Sequence, residues 1–76
     1  MESKLQLQPG ETLHLLSSKS KGSLSETDIY EYEIRDENGA VVGTVVHTDT
    51  TSRRGRRTQD VVQKDISGNT IVDTSW

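Results

Sequence analysis

Residues 29–47, IYEYEIRDENGAVVGTVVH, are the part of the sequence that most restricts the fold. β-Branched and aromatic residues alternate with charged residues before Asn38-Gly39, and valines are concentrated after it. An Asn-Gly pair between two such segments is the strongest short-range signal for a β-hairpin. The stretch therefore predicts two antiparallel strands joined by a tight turn.

The DENG turn of this hairpin is compatible with two strand registers. A two-residue type I′ turn sets Ile34 opposite Gly43, whereas a type I turn with the glycine in a bulge pairs Asp36 with Ala40 and sets Ile34 opposite Val42. We prefer the second register because it matches two apolar residues. Aspartate also suits the first position of a type I turn.

The preferred register also predicts how apolar surface is distributed. It places Val41 and Val45 on the same face as Glu31 and Glu33, so both faces of the sheet carry apolar side chains. Such a sheet can close into a small barrel or pair with a second copy. We therefore predict an interface between copies that includes Val41, Val45 and the only tryptophan, Trp76.

Other segments also have strand character. Residues 5–7 and 12–15 alternate apolar with polar side chains on either side of Pro9-Gly10, which predicts two short strands or one strand kinked at Pro9. Residues 59–66 and 69–75 flank an Asp-Ile-Ser-Gly turn that resembles the turn of the first hairpin. A helix over residues 58–64 is the competing interpretation of the region before that second turn.

The composition limits the fold to one small domain, residues 1–76. Residues 17–28 and 48–58 are polar and are predicted to be mobile loops. The absence of cysteine excludes disulfide bonds and thiolate metal sites. The fold class that follows is all-β: a small antiparallel meander sheet, or a partly open barrel, of five or six strands built from hairpins.

The one compositional anomaly is an arginine-rich loop. Arg53, Arg54, Arg56 and Arg57 supply four of the nine basic residues, and the rest of the chain has five basic residues against 12 acidic ones. Guanidinium groups bind phosphates and carboxylates in fork geometry, which predicts contact with an anion, a nucleic acid or an acidic protein partner. The alternative is a solvated loop that pairs with acidic side chains of the chain itself or of a second copy. The sequence pI of about 5.2 favours this alternative, because nucleic-acid-binding proteins usually have a wider basic surface.

Other residues that could carry chemistry lack a supporting pattern. His14 and His47 could meet beside Asp49, but no His-x-x-x-His spacing or cysteine accompanies them, so we interpret both as ordinary strand residues. Tyr30 and Tyr32 are interpreted as packing residues. No nucleophile elbow and no phosphate-binding glycine motif is present. We therefore predict no enzymatic activity, no metal and no cofactor.

The function predicted from the sequence is a small non-enzymatic binding or interaction domain. It would associate with itself or act as an accessory subunit of a larger assembly. The alternative is an anion or nucleic-acid binder that uses the arginine-rich loop. No segment has the length of a membrane-spanning helix, and the first ten residues have no apolar run. We therefore expect no membrane contact, no secretory signal and a cytoplasmic location.

Overall fold

The computed structural model describes residues 2–22, 26–52 and 55–76. A short 3₁₀ turn at Glu2–Lys4 precedes five strands. The strands are β1 (Thr12–Gly22), β2 (Glu26–Arg35), β3 (Val41–Thr51), β4 (Arg57–Asp65) and β5 (Thr70–Ser75). They form one antiparallel sheet in the order β1-β2-β3-β4-β5, which is not closed into a barrel. The predicted all-β meander is confirmed, and the region after residue 57 is a strand rather than a helix.

The turn between β2 and β3 is the predicted type I turn with a glycine bulge. The amide of Asp36 donates to the carbonyl of Ala40 at 2.9 Å, and the amide of Gly39 donates to the carbonyl of Asp36 at 3.0 Å. The Asp36 carboxylate also accepts hydrogen bonds from the amides of Asn38 and Ala40. Gly39 has φ of +83°, a conformation that residues with a Cβ rarely adopt.

The turn between β4 and β5 has the same construction. The Asp65 amide donates to the carbonyl of Asn69, and the Asp65 carbonyl accepts from the amide of Gly68. The Asp65 carboxylate accepts from the amides of Ser67 and Asn69. The prediction of two similar hairpins is confirmed. Ser52 has a comparable role between β3 and β4, since its amide donates to the carbonyl of Arg56 and its hydroxyl accepts from the Arg56 amide.

The strand register beyond the first turn differs from the prediction. Arg35 pairs with Val41 but Ile34 pairs with Gly43, so Val42 is an extra residue and forms a second bulge. The predicted pairing of Ile34 with Val42 is therefore wrong. A Cβ on Gly43 would lie 2.6 Å from the carbonyl oxygen of Lys64 on β4, so only glycine fits this position against the neighbouring strand.

The second bulge changes the face on which one predicted interface residue lies. Val45 pairs with Tyr32 and is fully buried, so it does not share a face with Glu31 and Glu33 as predicted. Val45 belongs to the core, together with Ile34 and Val61. We call the sheet face that bears these three residues the core face, and the opposite one the open face.

The predicted loops are shorter than the sequence suggested. Residues 17–22 and 26–28 belong to β1 and β2, and residues 48–51 and 57–58 belong to β3 and β4. The loop assignment was based on polar composition. Threonine, however, is well suited to strands, and each of these segments has a partner strand on which to form a ladder.

Residues 2–11 form an arm over the core face instead of the predicted first strand at 5–7. Leu5 and Leu7 pack against the core cluster. The side-chain amide of the buried Gln63 donates to the carbonyl of Gln6 at 2.9 Å and accepts from its amide at 2.8 Å. A single side chain thus provides the arm with the pair of hydrogen bonds that a neighbouring strand would otherwise supply.

The first half of β1 follows the predicted alternation. Leu13 pairs with Ile34 and packs against the core, and the alternation ends in a bulge at Leu16, between Leu15 and Ser17. Leu15 and Leu16 are both exposed at this edge of the sheet.

Candidate interaction surfaces

The open face has an apolar centre between acidic side chains. One row across the sheet joins Glu31, Val46, Val62 and Asp73, because these residues are consecutive cross-strand partners. Ile29 lies on the same face of β2, two residues from Glu31. The Val46 side chain is 39% exposed. Within the described ranges the only segment that crosses the sheet is the arm, and it lies on the core face.

The structure does not bring the three predicted interface residues together. Val41 is 39% exposed and lies beside the β2–β3 turn, opposite Arg35. Trp76 is 40% exposed and pairs with Gln59 at the far end of β5. Val45 is inaccessible in the core.

Trp76 packs on the core face of its own sheet. Its ring stacks on His47 with centroids 6.0 Å apart and an interplanar angle of 3°, and His47 in turn stacks on Tyr30 at 5.7 Å. The ammonium group of Lys4 lies 5.4 Å above the Trp76 ring, in cation–π geometry. These contacts fix one end of the arm beside the end of β5, while part of the tryptophan surface stays accessible.

The arginine-rich loop contributes less free cationic charge than its composition suggests. Arg57 donates from Nε to both carboxylate oxygens of Asp49, at 3.0 and 3.1 Å. This hydrogen-bonded pair lowers the pKa of Asp49 and raises the pKa of Arg57. Arg56 is exposed. Arg53 and Arg54, the other two residues of the predicted site, lie outside the described residues.

Two lysines on β1 lie at the same end of the sheet as this loop. The β1–β2 and β3–β4 connections are at one end of the meander, so Lys19 and Lys21 are at the end where Arg56 and Arg57 lie. The ion pairs in the described part of the chain are Arg57 with Asp49 and Arg35 with Glu33, and neither involves these lysines. We call this region the basic end. The sequence interpretation missed Lys19 and Lys21 because it placed them in a loop.

The two histidines lie on opposite faces of the sheet. His14 pairs with Glu33 on the open face, and His47 pairs with Val61 on the core face. His47 is hydrogen-bonded through Nε2 to Gln59 at 2.9 Å. No group of three or more potential metal-ligating side chains occurs within the described ranges.

A cavity of about 130 Å³ lies between the arm and the core face, lined in part by Gln6, Gln63 and Ile34. Sites for small organic ligands usually measure about 300–1,000 Å³, so this space is too small for such a molecule.

Gln63 was not singled out in the sequence. A glutamine two residues after Val61 in an alternating strand falls at a core position, and that is the signal that could have revealed its role.

Across residues 2–22, 26–52 and 55–76 there is no helix with the length and apolar character needed to cross a membrane. Comparisons with protein-family models, curated proteins and solved structures give no match to this chain.

Proposed function

We propose that this protein is a non-enzymatic binding domain that pairs with a second copy of itself through the open face. The observation that carries the proposal is the single-layered sheet, in which three apolar side chains of the described residues are fully buried: Ile34, Val45 and Val61. Sheets in stable domains bury one face against another layer. Here the arm provides that layer for the core face, and a partner would provide it for the open face.

A second copy suits the chemistry of the open face. Val46 and Val62 are cross-strand partners that form an apolar centre, and two sheets pack face to face about 10 Å apart. The strand residues described on this face include four cationic and four acidic side chains, so these groups give two approaching copies no net repulsion. The cationic residues are Lys19, Lys21, Arg35 and Lys64, and the acidic ones are Glu31, Glu33, Asp60 and Asp73.

Sedimentation equilibrium of the wild type and two variants tests this proposal. We expect the wild type to form dimers and Val46→Asp to remain monomeric, because the substitution places a charge at the centre of the apolar patch. Ile66→Asp is the matched control, since Ile66 is 68% exposed in the β4–β5 turn, and it should dimerise like the wild type. Circular dichroism establishes that both variants retain the sheet.

A wild type that remains monomeric at millimolar protein concentration would overturn the proposal. Equal dissociation of Val46→Asp and Ile66→Asp would also contradict it, because the contact would then not be centred on the valines.

A further inference from the structure

We propose that the basic end of the open face binds the sugar-phosphate backbone of a nucleic acid. The surface is a row of residues on four neighbouring strands, in which Lys21 of β1 pairs with Thr27 of β2, Thr27 with Thr50 of β3, and Thr50 with Thr58 of β4. We call this row the threonine strip. Binding of a nucleic acid is a function separate from the proposed self-association, and it does not depend on the two arginines outside the described residues.

The strip places suitable donors side by side. Adjacent strands lie about 4.8 Å apart, so the three hydroxyl groups are evenly spaced across the sheet. Thr58 is exposed, and Thr27 and Thr50 are half-buried. Lysine, arginine and threonine side chains are the groups that commonly contact phosphate oxygens in protein–nucleic acid complexes.

Charges at this end of the molecule are divided between the two faces. By strand register, the open face of β1 and β2 carries Lys19 and Lys21 and the core face carries Glu26 and Asp28. At the edge of the sheet, Lys21 also lines a cavity with Glu26 and Asp28, so Lys19 is the lysine further from these carboxylates. Asp49 is also on the core face, where it is paired with Arg57. Among the described residues, a chain with a formal net charge of −3 therefore presents a locally cationic region on the open face of β1.

The chemistry of the strip favours a contact that is independent of base sequence. The stacked rings of Tyr30, His47 and Trp76 lie on the core face, so bases bound along the strip have no aromatic partner there.

The nearest acidic side chain on the open face is Asp60, in the adjacent row, where it accepts a hydrogen bond from Ser75.

The strip and the valine patch share one face. Thr50 is four residues from Val46 along β3, or about 13 Å at the rise of a strand. A second copy packed over the valines would cover the strip, so nucleic acid and a second copy compete for the open face.

Fluorescence anisotropy with labelled 20-nucleotide oligo(dT) and a 20-base-pair duplex tests the inference. The titrations use nanomolar probe, a range of salt concentrations, and both the wild type and the monomeric Val46→Asp variant. We expect the double variant Lys19→Ala/Lys21→Ala to bind more weakly, and the magnitude of its salt slope to be smaller by about 1.4 on the single strand and about 1.8 on the duplex. The variant Lys4→Ala/Lys64→Ala is the matched control, because it removes the same charge away from the strip and should change affinity much less. Circular dichroism and urea unfolding check that loss of the contact between Lys4 and Trp76 leaves its sheet intact.

The hydroxyl contribution is tested separately with Thr50→Val, which keeps the shape and strand propensity of the side chain. One lost hydrogen bond to a charged phosphate oxygen should weaken binding by a factor on the order of ten or more. A lack of binding to both probes at 20 mM salt would overturn the inference. So would equal losses in the two lysine double variants, since the contact would then be due to overall charge.

These outcomes are independent of the dimer test. Binding by the monomeric Val46→Asp variant would support the strip whether or not the wild type dimerises. Dimerisation without any binding of nucleic acid would leave the proposed self-association intact and remove the strip.

Discussion

The contact between Gln63 and the arm gives the sharpest test of how this sheet is stabilised. Gln63→Ala removes both hydrogen bonds to the Gln6 backbone. Each contributes about 0.5–1.5 kcal/mol net, so their loss costs about 1–3 kcal/mol. The Gln6 amide and carbonyl would in addition lie unpaired against the sheet for as long as the arm stayed docked.

The arm itself sets an upper limit to this cost. If the penalty exceeds the free energy of docking, the arm detaches and its polar groups are hydrated. Detachment gives up the partial burial of Leu5 and Leu7, which is worth about 2–3 kcal/mol in total. We therefore expect Gln63→Ala to lower the free energy of unfolding by about 2–3 kcal/mol in urea titrations, and to speed hydrogen exchange at the Gln6 amide.

A double-mutant cycle separates this explanation from a simple packing defect. In a Leu5→Ser/Leu7→Ser background the arm is already released, so adding Gln63→Ala should cost well under 1 kcal/mol more. Gln59→Ala is the control on the same strand. It removes one hydrogen bond to His47 and should cost about 0.5–1.5 kcal/mol in either background. Full additivity of Gln63→Ala with the leucine substitutions would refute the role of Gln63 in holding the arm.

Three further changes probe the turns and the second bulge. Gly43→Ala should destabilise the fold by about 1–3 kcal/mol in thermal unfolding, because its Cβ would lie 2.6 Å from the Lys64 carbonyl oxygen. Gly39→Ala should cost about 1–2 kcal/mol through its φ of +83° alone, since no atom lies within 4 Å of the new Cβ. Backbone hydrogen bonds, chiefly from Asn69, lower the pKa of Asp65 below its ordinary value of 3.8. The contribution of the Asp65 carboxylate to stability is therefore present above about pH 3.8 and is lost as the pH falls through the lower pKa of the folded state. Asp65→Asn should therefore show a weaker dependence of stability on pH below about 3.8 in acid titrations followed by circular dichroism.

Each of these changes has an outcome that would count against it. Thermal unfolding of Gly43→Ala at the wild-type temperature would mean that the close approach to β4 does not constrain this position. A Gly39→Asn variant that is no more stable than Gly39→Ala would contradict the φ argument, because asparagine tolerates the left-handed region better than alanine. Identical acid titrations for Asp65→Asn and the wild type would show that the carboxylate does not stabilise the turn.

The turns could be predicted from the sequence because their determinants are local. An aspartate three residues before a glycine specifies a carboxylate that accepts nearby amide hydrogens and a residue that adopts positive φ. The carboxylates of Asp36 and Asp65 accept these hydrogen bonds, and Gly39 and Gly68 adopt positive φ. The register beyond the first turn depends instead on Gly43 meeting the Lys64 carbonyl, which lies 21 residues further along the chain and on another strand. No pattern within the hairpin contains that information.

The candidate surfaces were harder to predict for a related reason. Lys19 and Lys21 lie within a serine-rich segment whose composition is typical of a loop, and only their pairing with Ile29 and Thr27 makes them strand residues. Once the segment is a strand, alternation assigns both lysines to one face. The arginines at 53–57 were conspicuous in the sequence, yet Arg57 forms an ion pair with Asp49, which lies eight residues away across the hairpin.

The same scarcity of buried apolar residues connects stability with binding. Ile34, Val45 and Val61 are the only fully buried apolar side chains in the described ranges, so the sheet depends on its hydrogen-bonded ladders and on the arm that covers one face. A ligand that binds only the folded state stabilises it by RT ln(1 + L/Kd), where L is the concentration of free ligand, so the stabilisation rises with that concentration. A second copy on the open face would bury Val46 and Val62, whereas a nucleic acid would bind at the basic end of the same face and compete with that copy. Both partners would therefore stabilise the fold, but only self-association would make its stability depend on protein concentration.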